Sequence, residues 1–291
     1  MIPAAYITEW KNFSPWANEA HVEQDLILSR AIIEIFNNSF LKKELAFRGG
    51  TALHKLFFSP AARYSEDIDL VRTGKGPIKP IVDALRDIFE PWLGIPKIQT
   101  TNRSFKLMYY FNTERLPITK ARIKIEINIE ESFSILQRLE KDFSVNSQWF
   151  SGQASINTFQ FEELIATKLR ALYQRKKGRD VFDLWLALQQ ENFDIKAAVN
   201  VFLAYMEQAD QNITQIIFEK NLNLKLREFT FLDDIGILLS PQLMRTHAKS
   251  LAAENGVFLS AEDGTVITSE GWSLIDAADE IKNRILNAMY T

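Results

Sequence analysis

Apolar residues recur at three- and four-residue spacing in several stretches of the chain. This spacing is the period of an amphipathic helix, with one apolar face turned towards a core. It predicts helices at residues 20–40, 78–92, 159–174, 179–188, 195–207, 211–221 and 272–289. Most of these lie in the second half, so helices are expected to dominate after about residue 158.

Other stretches alternate between apolar and polar residues, which is typical of a strand with one buried face. Residues 121–128 place three isoleucines on one face and polar residues on the other, and residues 104–111 are also strand-like. A hairpin is predicted at 257–267, around Glu262-Asp263-Gly264. We expect residues 1–18 to be irregular and residues 132–160 to be loop with a short strand. The patterns together predict an α+β protein.

Two acidic residues lie two positions apart in the apolar run Asp67-Ile68-Asp69-Leu70-Val71. Strand alternation puts Asp67 and Asp69 on one face and their apolar neighbours on the other. Adjacent carboxylates repel each other unless a cation lies between them, and Mg²⁺ prefers oxygen ligands. The pair therefore indicates a metal site. The alternative is an acidic strand edge on a solvated face.

A glycine pair, Gly49-Gly50, is followed by Thr51 between an apolar run at 45–47 and a helical pattern. Glycines let the backbone pass close to a ligand. Thr51 can cap a helix whose free N–H groups suit a phosphate. These residues predict a phosphate-binding turn close in sequence to the acidic pair.

Three further residues near this turn are candidates for nucleotide binding. They are Lys55, four residues after Thr51, and Arg63 and Ser65, which precede the acidic strand. Lys55 and Arg63 would contact phosphate. The alternative for each of them is a structural ion pair with a nearby acid.

Two motifs, Gly-Gly-Thr-x-Leu-x-Lys from Gly49 and Arg-x-Ser-x-Asp-Ile-Asp-Leu from Arg63, closely resemble a family signature. The family is that of the AbiEii/AbiGii toxins, also called MenT toxins, within the DNA polymerase β-like nucleotidyltransferase superfamily. The resemblance spans about residues 44–190. It implies a polymerase β-like core, a mixed sheet with flanking helices, followed by a mainly helical C-terminal region. We expect a catalytic domain at 1–158 and a helical domain at 159–291.

The superfamily uses a third carboxylate, from a strand beside the Asp-x-Asp strand, to bind metal and draw the proton from the attacking hydroxyl. Glu126 is the only acid within the alternating strand 121–128, and we assign it this place. The alternative is a surface glutamate paired with Lys124 or Arg122. Glu130 and Glu131, just beyond the strand, are weaker candidates.

Six basic residues and no acid occur from Lys168 to Arg179. They form a local basic cluster. A charge run of this kind is often a solvated helix face. The cluster also forms part of Lys168-x-x-Ala-Leu-x-x-Arg175-x-Lys-x-Arg-Asp180-x-x-Asp183-Leu, which looks like the family's second signature. Helical geometry puts Lys168 and Arg175 about 20° apart. The resemblance implies that Lys168 contacts phosphates and that Asp180 or Asp183 is needed for activity.

The separate roles of these two aspartates stay open at this point. A helical wheel places Asp183 nearly opposite an apolar stripe and Asp180 at its flank. Asp180 could also cap the helix or pair with Arg179 or Arg175.

Composition narrows the classes of protein. Zero cysteines exclude disulfides and thiolate catalysis, and the three histidines are scattered. A net charge of −3 argues against a protein that binds nucleic acid non-specifically, since such proteins carry an excess of basic residues. We find neither a leader pattern nor an apolar run long enough to span a membrane, so we expect a cytoplasmic protein.

The resemblance implies a Mg²⁺- or Mn²⁺-dependent toxin that transfers a nucleoside monophosphate from an NTP to an acceptor hydroxyl. The expected acceptor is the 3′ end of tRNA, which would block translation, and the expected partner is a cognate antitoxin. No DNA or membrane partner is expected. The alternatives are nucleotidylation of a protein or a small molecule, and a non-catalytic switch that binds GTP.

Overall fold

A computed structural model describes residues 2–114, 117–239 and 272–290 of the chain. The chain forms two compact units, residues 1–160 and 161–291. The hairpin predicted at 257–267 lies outside the described residues.

The first unit is built on a seven-stranded mixed sheet with the order β3-β4-β5-β2-β1-β7-β6. Its strands are β1 (Leu45–Arg48), β2 (Asp67–Arg72), β3 (Lys97–Thr100), β4 (Ser104–Asn112), β5 (Lys120–Asn128), β6 (Leu139–Asn146) and β7 (Ser151–Thr158). Its helices are α1 (Ala4–Trp10), α2 (Glu19–Asn37), α3 (Ser39–Glu44), α4 (Gly49–Leu56) and α5 (Lys79–Leu93). This mixed sheet with flanking helices confirms the α+β fold class.

The centre of the sheet combines two kinds of pairing. Strand β2 pairs antiparallel with β1 and parallel with β5, and β1 pairs parallel with β7. Helix α2 packs on the sheet against β7, β5 and β2, and α5 contacts β4. The side chains turned towards these helices are buried, among them Ile68, Leu70 and the three isoleucines of β5. Alternation therefore leaves the polar side chains of β2 and β5 on the opposite face.

The second unit is mainly helical in the residues that the structure describes. Its α-helices are α6 (Phe161–Gln174), α7 (Gly178–Leu188), α8 (Ile195–Gln208), α9 (Gln215–Lys225), α10 (Phe229–Leu232) and α11 (Leu274–Arg284). Two 3₁₀ helices follow α10 and α11, at Asp233–Leu238 and Leu286–Tyr290. Helix α6 packs against α7 and α8, and α7 packs against α11.

Two expectations about irregular segments were wrong. Residues 1–18 contain helix α1, which forms because Ile7 and Trp10 lie on one face and are buried. Residues 132–160 contain two eight-residue strands, β6 and β7, that pair antiparallel. Most side chains of β6 are at least partly exposed, so the strand has little of the apolar signal that sequence reasoning needs.

Candidate functional site

Strand register brings the three predicted carboxylates together on one face of the sheet. Asp69 of β2 lies opposite Glu126 of β5, and Asp67 lies opposite Lys124. Residues two apart on a strand share a face, so Asp67, Asp69, Lys124 and Glu126 form one cluster. All four are partly exposed, whereas the apolar residues between them are buried. The assignment of Glu126 to the strand beside Asp69 is thus matched by the register.

Two lysines partly balance these carboxylates. Lys124 Nζ lies 2.9 Å from Asp67 Oδ2 and 3.1 Å from Glu126 Oε2. Lys106 Nζ, from β4, lies 3.1 Å from Glu126 Oε1. Partial burial would raise the pKa of Glu126, but the charge and hydrogen bonds of the lysines outweigh it and hold the pKa below its ordinary value. Glu126 is therefore ionised throughout the neutral range.

Asp69 differs from its neighbours in its electrostatics. Its pKa is raised, first because burial disfavours the charged form and next because Asp67 is close by. Lys124 and Arg48 oppose this effect without cancelling it. A carboxylate held among other carboxylates in this way has unmet demand for positive charge, which a divalent cation can supply.

The glycine turn is packed directly against this carboxylate. Gly49 has φ +85°, in the left-handed region, and a Cβ built on it would overlap Asp69 Oδ2. Both the backbone conformation and the close approach therefore require glycine. Gly50 follows in the first turn of α4, which begins at Gly49.

Thr51 does not cap this helix, contrary to the sequence prediction. The cap position is Arg48, which makes no side-chain capping hydrogen bond. The buried hydroxyl of Thr51 donates to the Asp67 carbonyl and lies 2.8 Å from Ser65 Oγ. Thr51 and Ser65 thus tie the start of α4 to the acidic strand.

Lys55 and Arg63 are engaged within the protein. Lys55 Nζ lies 2.7 Å from Asp25 Oδ1, the ion pair that was the alternative for this residue. Asp25 is buried and also accepts hydrogen bonds from Trp10 and Ser14, so it links the N-terminal segment to α4. Arg63 is buried, and its Nη1 donates to the Tyr64 carbonyl at 2.9 Å.

The second-signature residues form a buried charge cluster within the second unit. Lys168 Nζ lies 3.2 Å from Asp180 Oδ1 and 2.7 Å from Asp183 Oδ2. Arg175 donates to both oxygens of Asp180, at 2.7 and 2.8 Å. Burial would raise the pKa of Asp180, but the charges of Lys168 and Arg175 hold it below its ordinary value.

This cluster departs from the helical-wheel expectation. Asp180 and Asp183 are both fully buried, although the wheel placed Asp183 opposite the apolar stripe. Asp180 is the partner shared by Lys168 and Arg175, and it does not act as the cap of α7.

The remaining cations of this basic cluster also have partners. Lys176 pairs with Glu228, and Lys177 and Arg179 both pair with Asp234. The guanidinium of Arg170 lies over the ring of Tyr205. The stretch without an acid in sequence is therefore largely neutralised by acids from elsewhere in the unit.

The carboxylates of the first unit fit a divalent cation by their chemistry. Asp67, Asp69 and Glu126 supply only oxygen donors at neighbouring positions of one face, and three carboxylates exceed the charge of Lys106 and Lys124. Within the described residues no three acidic or histidine side chains surround one point as ligands. In this arrangement the ammonium group of Lys124 lies between two of the carboxylates.

A model of the family described as nucleotidyl transferase AbiEii toxin, type IV toxin–antitoxin system, matches residues 30–252. The chain belongs to the AbiEii nucleotidyltransferase toxin family. It is accordingly a nucleotidyltransferase, for which the family implies an NTP substrate and, in general, a divalent metal. The family also suggests a cognate antitoxin.

Two solved structures are similar to this chain to different degrees. MenT4, a nucleotidyltransferase toxin from Mycobacterium tuberculosis H37Rv, is similar over 100% of this chain and 99% of its own, with a TM-score of 0.57 and 14% identity. JHP933 from Helicobacter pylori matches 82% of this chain and 98% of its own, with a TM-score of 0.42 and 17% identity. No curated protein matches the chain.

Sequence reasoning missed three residues around these sites. Lys106 and Asp25 were not considered, and Lys124 entered only as a surface partner of Glu126. Alternation gave a signal for Lys124, because it shares a face with Glu126. Nothing local marked Asp25 or Lys106, because their partners are distant in sequence.

Among the described residues, no helix is long and apolar enough to cross a membrane.

Proposed function

We propose that this toxin transfers a nucleoside monophosphate from an NTP to the 3′-terminal hydroxyl of tRNA and so blocks translation. The observation that carries the transfer step is the register of Asp69 opposite Glu126, beside the glycine turn that contacts Asp69. The tRNA acceptor is the expectation from the family resemblance.

In this proposal Asp67, Asp69 and Glu126 hold Mg²⁺ or Mn²⁺. The bound ion would lower the pKa of the acceptor hydroxyl and stabilise the leaving pyrophosphate. Glu126 supports this role because it is ionised, as a metal ligand must be. Asp69 supports this role because its neighbouring cations, Lys124 and Arg48, do not fully compensate its burial and the nearby carboxylates.

Other residues would bind the phosphates. The free backbone N–H groups of the first turn of α4, which begins at Gly49, would bind the triphosphate. In the second unit we propose that Arg175 contacts phosphate, because 51% of its side chain is exposed although Asp180 holds its guanidinium. Lys168 and the two buried aspartates would then position Arg175.

The remaining candidates of the first unit would act through the shape of the turn. Thr51 and Ser65 connect α4 to β2, and Lys55 fixes α4 to Asp25. Arg63 is buried beside the chain that enters β2. We propose that these four position the turn and the acidic strand.

We further propose a catalytic domain at 1–158, and a helical domain at 159–291 that carries the second signature. The toxin would act in the cytoplasm and be neutralised there by its antitoxin. Neither a membrane nor DNA has a part in the proposal.

The test incubates purified wild type with Mg²⁺, bulk tRNA and each of the four α-³²P-labelled NTPs, followed by a denaturing gel. We expect label on tRNA with at least one NTP. Asp69→Asn should give at least about a hundredfold less label. The control Asp142→Asn, which changes an exposed acid on β6, should label as wild type does.

Addition of cell extract distinguishes the other acceptors. Label that runs with protein or with a small molecule would reject tRNA as the acceptor and keep the transferase. The absence of label on any acceptor, with the fold intact, would contradict the proposed transfer and favour a nucleotide switch.

A further inference from the structure

The sheet face that carries Asp67 and Asp69 continues over β5, β4 and β3. Register places Met108 between Lys124 of β5 and Lys97 of β3, and it places Tyr110 opposite Arg122. Lys120 lies two residues before Arg122 on the same face of β5, opposite Asn112. We call this surface the β3–β5 face; it comprises Lys97, Gln99, Lys106, Met108, Tyr110, Lys120, Arg122 and Lys124.

The opposite face of the same strands forms the core. Leu107, Tyr109, Ile123 and Ile125 are fully buried there. Lys97, Tyr110, Lys120 and Arg122 are exposed, by contrast. The β3–β5 face is therefore an accessible surface on the same side of the sheet as the carboxylates.

The charge of this face is strongly one-sided. Its three strands contain five cations and a single acid, Glu126, in a chain whose net charge is −3. Lys106 and Lys124 pair with Glu126 and so belong to the carboxylate cluster. Lys97, Lys120 and Arg122 make no ion pair with any acid in the described part of the chain. These three cations are available to an anionic partner.

An aromatic ring lies among these cations. Tyr110 is 37% exposed, and Lys120 Nζ lies 4.8 Å from its ring centroid. Surfaces that bind single-stranded RNA commonly combine exposed aromatic rings with cations. The bases stack on the rings, and the phosphates pair with the cations. A double helix presents no free base faces to such a surface.

The dimensions suit a short single strand that ends at the carboxylates. Neighbouring strands lie about 4.8 Å apart, so β3 is about 14 Å from β2. Lys120 is six residues from Glu126 along β5, or roughly 20 Å at about 3.3 Å per residue. A strand lying across the face can reach the carboxylates with its terminal hydroxyl.

We infer that the β3–β5 face binds the single-stranded 3′ end of the RNA acceptor. Lys97, Lys120 and Arg122 contact its phosphates and Tyr110 stacks on one of its bases. The inference rests on the proposed function, in which RNA is the acceptor. It adds the surface that holds this acceptor.

The test compares two variants that lose the same charge. The face variant is Lys97→Gln/Lys120→Gln/Arg122→Gln. The control is Lys196→Gln/Lys220→Gln/Arg227→Gln, three exposed cations of the second unit. Binding of bulk tRNA is measured by filter retention without NTP at several salt concentrations, together with the affinity for each NTP.

We expect the face variant to bind tRNA at least about tenfold more weakly. Its slope of log affinity against log salt should shrink by about 2, since each contact to a single strand contributes about 0.7. The KM for tRNA should rise while NTP affinity is unchanged. Tyr110→Leu should weaken binding by about fivefold or more without changing the slope. The control should bind as wild type does.

Three results would overturn the inference. One is a face variant that binds tRNA like wild type while wild type labels tRNA, and this result leaves the proposed function intact. Another is an equal loss in the control, which would indicate a general charge effect. The third is a face variant that still binds tRNA but no longer binds the co-expressed antitoxin, which would assign the face to a protein partner. If wild type neither binds nor labels RNA, the proposal that RNA is the acceptor is wrong.

Discussion

Each unit contains a lysine whose ammonium group lies between two carboxylates, and the two clusters differ in almost everything else. In the first unit Lys124 lies between Asp67 and Glu126, and the three side chains are 19%, 28% and 24% exposed. In the second unit Lys168 lies between Asp180 and Asp183, with exposures of 6%, 0% and 0%. The same three-membered arrangement is thus open in one unit and buried in the other.

Charge balance separates the clusters further. Arg175 completes the second cluster, giving two cations for two carboxylates, and the pKa of Asp180 is lowered. The first cluster has three carboxylates for two lysines, and the pKa of Asp69 is raised. In the buried, balanced cluster, the loss of one charge would leave another unpaired and destabilise the fold. An open cluster with excess negative charge is suited to a cationic ligand.

The largest expected effect is the loss of stability in Lys168→Met. It leaves two fully buried carboxylates without their shared cation, which costs about 3–5 kcal/mol of unfolding free energy. The matched variant Lys124→Met should cost at most about 1 kcal/mol, because its partners are partly solvated. Urea denaturation of both measures the difference. Equal losses would remove the distinction between the clusters.

The next effect is on catalysis, in Asp69→Asn. Transfer to the acceptor should fall by about 10²-fold or more, equivalent to about 2.7 kcal/mol of barrier. The unfolding free energy should be unchanged or higher, because a crowded, desolvated carboxylate is removed. Initial rates and thermal melts measure both quantities. A variant that is less active only because it is less stable would contradict this interpretation of the first cluster.

A third prediction concerns pH and the second cluster. The pKa of Asp180 is lower in the folded chain than its ordinary value of 3.8. Its stabilising contribution is therefore fully present above about pH 5 and is lost as the pH falls through the folded pKa. Each pKa unit between the unfolded and folded chain corresponds to about 1.4 kcal/mol of unfolding free energy.

The stability difference between wild type and Asp180→Asn should accordingly be constant near neutral pH and shrink below about pH 4. Denaturation at a series of pH values measures it. A difference that grows on acidification would mean that the carboxyl is protonated in the folded chain.

The smallest effect concerns metal affinity at the first cluster. Lys124→Met removes the cation between Asp67 and Glu126, so the protein without NTP should bind Mn²⁺ about fivefold more tightly, or more. This corresponds to the roughly 1 kcal/mol between unit charges 4 Å apart in water. Electron paramagnetic resonance of free Mn²⁺ measures it, with Lys124→Arg as the charge-conserving control. Unchanged or weaker binding would show that Lys124 does not compete with the ion.

Much of the fold followed from local patterns. The helices expected at 20–40 and 78–92 correspond to α2 and α5, and the strands expected at 104–111 and 121–128 correspond to β4 and β5. These segments have strong periodicity, so neighbouring residues alone define them. Helix α1 and strand β6 were missed because contacts to distant residues stabilise them.

The candidate residues divide in the same way. Gly49, Asp67 and Asp69 could be recognised because their spacing places them at a turn and on a strand face. The partner of Lys55 could not, since Asp25 is 30 residues away and on another helix. The partners of the 168–179 basic cluster also include residues more than 50 positions away, such as Glu228 and Asp234.

The sequence by itself determined which residue types stand at the turn, on the acidic strand and on α6 and α7, because helix and strand periods act over a few residues. Only the tertiary structure decided which charges are neutralised and which remain open. The 168–179 cluster looks basic in sequence and is paired in space. The β3–β5 face is spread over three strands and becomes a basic surface only when the sheet forms. Charge compensation depends on distance in space, and strand register and helix packing set that distance.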